Sequence, residues 1–368
     1  MQRDLIRTIW IFTFIIIVLG LITLYSASFQ NSRVSQKVFY DQLVCAVFGL
    51  GIMYILSNSD YRKFYDIAYI LYGINLLLLI IVLLGGRSAL GARRWLEIGD
   101  FSFQPSELMK ISLIFALGRY LTNRRPKLSF DLASRAQNFW HDLILPFLMT
   151  AIPMFLIFKQ PDLGTALLIF IMFLVILFVS ELELRYFVSF LILLLGALPL
   201  GWHILRSYQK DRLLVFLNPN VDPLGAGYTI IQSKIAIGSG QFLGKGWLSG
   251  TQNQLNFLPE RHTDFIFSVI GEEWGLMGSL FLVFCYFVLI YCGINIAQQV
   301  KDKFGTLVSF GMVSMLALQV IINIGMTMGL FPVVGLTLPL ISYGRTSFLI
   351  FMIMLGFLLN LSKRRMVF

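Results

Sequence analysis

Charge is scarce in this chain of 368 residues. Charged residues make up 13% of it and hydrophobic residues 57%, whereas a soluble domain carries roughly 25% charged residues. That balance excludes a soluble core and reads as a polytopic membrane protein, its length spent on spans of about 20 apolar residues. Cysteine is rare too. Cys45, Cys285 and Cys292 all lie inside apolar runs, so they serve as small packing residues and not as a disulfide set or metal site. His141, His203 and His262 are scattered and form no HExxH pair, which argues against zinc. No nucleophile elbow, Walker loop or dinucleotide fingerprint occurs, and the chemistries that depend on them fall away. A compelling internal repeat is missing as well, which weakens an inverted-repeat transporter.

The charge that is present is mostly positive, with a formal net of +10. In a soluble protein that would point to nucleic acid, but no aromatic-basic motif accompanies it. Cytoplasmic loops of membrane proteins carry such an excess, drawn by anionic head groups. No nucleic-acid partner is expected.

Apolar runs predict ten helical spans near 8–28, 40–57, 65–85, 104–121, 141–158, 163–179, 184–204, 267–294, 305–329 and 345–362. The chain reads as a single all-α membrane domain over 1–368, with a large extracytoplasmic loop at 205–266. Arg3 and Arg7 precede a long apolar run with no small-residue cleavage site close behind, the pattern of a retained first span. Arg62, Lys63, Arg124, Arg125, Lys127, Lys301, Lys303 and Lys363 fall on the side that also holds both termini, and Lys and Arg outnumber there those of the short opposite loops. The positive-inside rule then places the termini in the cytoplasm. The chemically unusual passages, 86–105, 159–165, 205–266 and 330–344, fall outside.

Each of those passages has two readings. Arg93, Arg94 and Trp95 suit an interfacial anchor. Glu107 and Lys110 sit three apart on one helix face and can pair, and a lysine inside a span should face a cavity or a partner. Asp162 either caps the helix that follows it or belongs to a site. In 205–240, glycines and prolines imply short helices joined by turns, and 228–237 has the spacing of a surface helix. Pro332, Pro339 and several glycines break the apolar passage 330–344. Broken backbone at membrane depth is tolerated only against protein or a watery cavity.

The densest polar stretch is Lys245–Trp274, KGWLSGTQNQLNFLPERHTDFIFSVIGEEW. Helical spacing from Thr263 places Asp264, Ser268 and Glu272 on one face. An ionised carboxylate there can accept a proton from an attacking hydroxyl, hold a divalent metal, or cap its helix. Taken alone, capping is the stronger account of Asp264. The surrounding cations Lys110, Arg212, Lys234, Lys245 and Arg261 suit a phosphorylated or diphosphate lipid, or else are scattered loop charges.

Several passages, in order along the chain, resemble one family. They are GARRWLEIG at 91–99, QPSELMK at 104–110, QPDLGTAL at 160–167, NPNVDPLGAGYTIIQSKIAIGSG at 218–240, LPERHTDFIFSVIGEEWG at 258–275 and GMTMGLFPVVGLTLPLISYG at 325–344. The chain is identified as a member of the SEDS family of RodA, FtsW and SpoVE, and SGTQNQLNFLPERHTDF is more similar to RodA than to FtsW. One departure stands out: the family usually reads ISYGG, and Arg345 takes the place of the second glycine.

The resemblance implies ten spans and a peptidoglycan glycosyltransferase that polymerises lipid II outside the cytoplasmic membrane during elongation. The aspartate of the HTDF motif, Asp264, would be the catalytic base. Lys110, Arg212 and Lys245 would contact the leaving diphosphate, Glu107 would orient Lys110, and Trp95, Asp162, Gln252, Glu260, His262 and Ser342 complete the substrate-binding candidates. Implied partners are lipid II, the lipid-linked glycan strand, a class B penicillin-binding protein and other membrane proteins of the elongation complex. A divalent cation, Mg or Mn, is the implied helper. A lipid II flippase and a non-catalytic scaffold are the rival readings; outward clustering of the special loops favours synthesis.

Overall fold

The computed structural model describes residues 2–29, 32–89, 92–99, 101–123, 140–180, 187–192, 207–223 and 227–363, with positions 196, 203 and 225 besides. The longer helices among the described residues are α1 (Gln2–Ser28), α2 (Ser32–Asn58), α3 (Arg62–Gly85), α4 (Pro105–Asn123), α5 (Leu145–Lys159), α6 (Leu163–Val179), α7 (Ser207–Leu217), α8 (Tyr228–Ser239), α9 (Ile266–Gln299), α10 (Lys303–Thr327) and α11 (Arg345–Lys363). Six of them, α1, α2, α3, α9, α10 and α11, are long and apolar enough to cross a membrane. Helices α5 and α6 are shorter apolar helices. Of the remaining expected spans, α4 carries Glu107, Lys110 and Arg119 in its 19 residues, and the one near 184–204 lies largely outside the described residues.

One element of another kind interrupts the helices. Strands β1 (Arg87–Ala89), β2 (Ala92–Ile98) and β3 (Phe101–Phe103) form an antiparallel sheet in the order β1-β2-β3. Arg87 pairs with Trp95 and Ile98 with Phe101. The Ile98–Phe101 pairing leaves a two-residue hairpin loop, a geometry that favours glycine with positive φ, and Gly99 has φ +61°. Helical periodicity elsewhere masks so short a sheet, and the sequence reading of 86–105 as an interfacial segment did not include it.

Contacts divide the chain into two compact units. The first comprises Met1–Ile52, Leu200–Cys292 and Leu316–Met352. Within it Ile16, Leu24, Ile266, Tyr286, Leu336 and Ile341 are buried. Gly20 lets α1 approach the last loop so closely that a Cβ there would lie 2.8 Å from the Leu340 carbonyl oxygen. Helix α8 buries Ile230, Ser233 and Ala236 on one face. Ser233 Oγ donates to the Thr327 carbonyl at 2.6 Å and lies 2.6 Å from Ser268 Oγ, so α8 is packed against protein on that face.

The second unit comprises Met53–Pro199, Gly293–Met315 and Ile353–Phe368. Its centre is α4, buried along most of its length. Pro105 opens that helix at the position where its missing N–H costs nothing. Small residues allow close helix approach, as is usual where apolar lipid gives no driving force for association. Added carbons would meet Val308 at Gly118, and Ile114 at Gly311, within 2.9 Å.

Candidate functional site

In the first unit, helix α9 begins at Ile266, three residues later than the sequence spacing implies. Asp264 therefore precedes the helix, in a turn where the N–H groups of Thr263 and Phe265 both donate to the Glu260 carbonyl, at 3.1 and 3.2 Å. The turn is fixed through its backbone by the passage 335–343 and by α10. Asn323 Nδ2 donates to the carbonyls of Asp264 at 2.9 Å and Leu336 at 2.6 Å. Ser342 Oγ donates to the Thr263 carbonyl at 2.6 Å and accepts from Leu338 N–H at 2.7 Å. Tyr343 N–H donates to the His262 carbonyl at 2.8 Å.

Those bonds place Asp264, a half-buried residue, beside Gly335, which has φ +73°. A Cβ at Gly335 would lie 3.5 Å from Asp264 Oδ2, so any side chain there would touch the carboxylate. Burial pushes the His262 imidazole below its ordinary value, reinforced by Arg261 and opposed by Glu260, and the ring is neutral at pH 7. Glu260 Oε2 accepts from Thr263 Oγ1 at 3.0 Å. Arg212 is exposed, and its Nη1 donates to the Val333 carbonyl at 3.2 Å.

The rest of the polar stripe is occupied by protein. Glu272 is fully buried, and its Oε1 accepts from Lys245 Nζ at 2.8 Å, Thr251 Oγ1 at 3.1 Å and Gln252 N–H at 3.0 Å. Its Oε2 accepts from Asn253 N–H at 3.3 Å. Glu272 thus caps the single helical turn Thr251–Gln254 from outside it, supplying the acceptor that Gly250 lacks. Glu273 Oε1 accepts from Ser26 Oγ at 2.5 Å and Asn253 Nδ2 at 3.4 Å.

Both acids sit just before a break in α9. Gly275 has φ +66° and ψ −159° inside the helix, which only glycine adopts without strain. The backbone groups released there are taken by the preceding loop. Lys245 and Gly246 N–H donate to the carbonyls of Glu272 and Glu273 at 3.0 Å, and Leu276 and Met277 N–H donate to Gln241 and Phe242 at 2.9 and 3.2 Å. This satisfies the rule that non-helical backbone in a membrane protein must be paired within the protein. Residues 276–299, rising about 1.5 Å each, alone suffice for a hydrocarbon core of about 30 Å. The segment 266–274 that carries Asp264 at its head is held by the loop.

The second unit holds the other candidates. Lys110 is fully buried and donates to Glu107 Oε1 at 2.7 Å; Glu107 Oε2 has no hydrogen bond among the described residues. Asp162 caps α6, accepting from Thr165 N–H at 3.2 Å and Thr165 Oγ1 at 3.0 Å. Its carboxylate also takes Gln104 Nε2 at 3.3 Å and faces Arg94 Nη1 at 4.0 Å. Arg94 further donates to the carbonyls of Gln160 and Pro161, tying β2 to the α5–α6 turn. Trp95, next along β2, is half-buried.

Sequence reasoning missed Asn323, Ser26 and Asn253, which hold the acids or their backbone. Asn323 carried a signal: a lone amide within an apolar run needs a partner inside the protein. Asn253 and Ser26 carried none, since their partner Glu273 lies far along the chain.

The fold and this arrangement define a multi-pass helical membrane protein with an aspartate held at the head of a broken helix. The chain matches the family model FTSW_RODA_SPOVE, Cell cycle protein, over residues 6–366, and it belongs to that family. It is 40% identical to the peptidoglycan glycosyltransferase MrdB of Escherichia coli K12, over 95% of this chain and 91% of the relative. It also resembles a chain of a peptidoglycan synthase complex that coordinates polymerization and crosslinking, at 36% identity and TM-score 0.81, covering 97% of each. The rod shape determining protein RodA of Thermus thermophilus matches at 31% identity and TM-score 0.70, covering 97% of this chain and 96% of that one.

Proposed function

We infer that this chain is a peptidoglycan glycosyltransferase of cell elongation and shape maintenance, that lipid II is its substrate, and that Asp264 is its base. The observation carrying the assignment of Asp264 is its placement. Of the acids in the 260–273 stretch, Glu272 and Glu273 are buried in protein contacts and Glu260 is exposed with its carboxylate bonded to Thr263, whereas Asp264 is half-buried in the turn at the head of α9, next to Gly335.

In the reaction, the Asp264 carboxylate takes the proton from the 4-hydroxyl of the acceptor sugar. The oxygen attacks the anomeric carbon of the growing strand, the bond to polyprenyl diphosphate breaks, and configuration inverts. A diphosphate leaves as an anion and hardly needs a proton, so no second carboxylate is required, unlike in glycoside hydrolysis. Arg212 and Lys245 are assigned to the diphosphate charge, which positioned cations stabilise, and Lys110, in the second unit, is assigned to substrate charge as well. Glu107 and Glu272 orient the two lysines. Trp95, Gln252, Glu260 and His262 are assigned to the sugar and peptide of the substrate. Ser342 and Asp162 act by holding the Thr263 carbonyl and Arg94.

A divalent cation, Mg or Mn, belongs to this reading. Among the described residues no three His, Cys, Asp or Glu side chains gather to cage one. An ion of this kind would be held chiefly by the substrate phosphates. Bound there, it would neutralise diphosphate charge. The reading further places the chain in the bacterial cytoplasmic membrane, both termini inside and Asp264 outside, working with a class B penicillin-binding protein and other membrane proteins of the elongation complex.

The test is polymerisation of labelled lipid II in vesicles by the Asp264→Asn variant. Loss of glycan product with lipid II binding retained supports the assignment; polymer at the wild-type rate refutes it.

A further inference from the structure

One charged pair lies outside everything assigned above. Asp41 is on α2, near the start of its apolar run, and its Oδ2 faces Arg345 Nη1 at 3.7 Å, with side-chain exposures of 25% and 18%. The same oxygen accepts from Tyr343 Oη at 3.3 Å. Arg345 is the first residue of α11. A cation at the amino end of a helix meets the positive end of the helix dipole, so this arginine needs a nearby anion, and Asp41 supplies one.

Tyr343 connects the pair to the Asp264 turn. Its own N–H donates to the His262 carbonyl, and its neighbour Ser342 donates to the Thr263 carbonyl. The Tyr343 and His262 rings lie 6.2 Å apart between centroids, within the range for aromatic contact. A single carboxylate oxygen thus bridges both ends of the Tyr343–Arg345 corner, and the backbone of that corner grips the two residues immediately before Asp264.

We propose that Asp41 is a positioning residue for Asp264: its carboxylate pins Tyr343 and Arg345, and that corner pins His262 and Thr263. The proposal rests on Asp264 being the base only for its effect on rate. The mechanical link stands on the contacts alone.

Neither contact is ideal in length, so the expected loss is modest, roughly tenfold in kcat for one charge-assisted interaction. The substitutions are Asp41→Asn, Arg345→Gln, both together, and Asp41→Glu, in the full chain reconstituted with labelled lipid II. Two quantities are read: polymerisation kinetics, and hydrogen exchange of the backbone amides in 260–266. We expect each single variant to lower kcat about tenfold with KM for lipid II within about twofold. The double variant should be no worse than either single, because each alone already breaks the pair. Exchange in 260–266 should speed up in the Asn and Gln variants and return to the wild-type level with Glu. Tyr343→Phe, which keeps the charge pair, should speed it to a lesser degree. Wild-type exchange in all variants, or additive losses in the double, overturns the proposal. Faster exchange with undiminished polymerisation keeps the link and removes Asp264 from the chemistry.

Discussion

A carboxylate can be fixed by what it touches or by what its neighbours touch. Glu272 is held in the first way, with four donors on two oxygens, and for Asp264 the second adds to the hold, through bonds to the carbonyls of His262, Thr263 and Asp264. The two should respond differently to substitution. Glu272→Ala leaves the N–H groups of the 251–254 turn without their acceptor and the partly exposed Lys245 ammonium without its partner, and should cost about 2 kcal/mol, the scale of leaving buried donors unsatisfied. Its thermal midpoint in detergent should drop well below that of Glu272→Gln, which keeps an acceptor for the turn. His262 gives a second prediction. Its folded pKa lies below its unfolded value through burial, so the unfolded chain binds more protons in that window and stability rises with pH there. The contribution is fully present above about pH 6.5 and is lost as pH falls through the folded pKa. A His262→Asn variant should show a flatter dependence of melting temperature on pH from 7.5 to 5.5. The sequence pointed to these residues as a group, because ionisable side chains entering an apolar run need a reason. It did not show that Ser268 and Glu272 are spent on protein contacts, since their partners Ser233, Lys245 and Thr251 come from a loop whose return path periodicity does not encode.

At the scale of elements, the break in α9 decides where the Asp264 segment sits. Apart from Ser268, Glu272 and Glu273 near its start, the sequence 266–299 is largely apolar and reads as one uninterrupted span; only the loop that takes up the freed backbone groups reveals why Gly275 interrupts it. A Cβ at Gly275 would lie 2.4 Å from Gly244 N and 2.7 Å from the Phe242 carbonyl oxygen, on a backbone with positive φ. Gly275→Ala should therefore destabilise by about 2 kcal/mol or more, seen as a lowered melting temperature together with lost polymerisation. Gly73→Ala in α3, where nothing lies within 4 Å, should be neutral or slightly stabilising because alanine favours the helix. The last loop was legible as broken backbone from Pro332, Pro339 and its glycines. The small sheet was not: three strands of three to seven residues leave too short an alternation to stand out among 20-residue apolar runs.

For the whole molecule, composition alone established a membrane protein, because 13% charge over 368 residues leaves too little polar surface for anything soluble. The proposed orientation follows from where Lys and Arg fall, and it makes a direct prediction. A cysteine at exposed Asn256 should react with a membrane-impermeant maleimide on intact cells freed of any outer membrane, and one at exposed Lys301 only after permeabilisation. Cys45, Cys285 and Cys292 are buried and should give little background. Labelling at 301 alone would reverse the topology and with it the side on which Asp264 works, and labelling at both positions would contradict it. The most direct measurement is the rate at which Asp264→Asn protein in vesicles converts labelled lipid II into glycan, set beside its affinity for lipid II. The account predicts no strand formation with binding within a few-fold of wild type, and glycan made at an undiminished rate would contradict it.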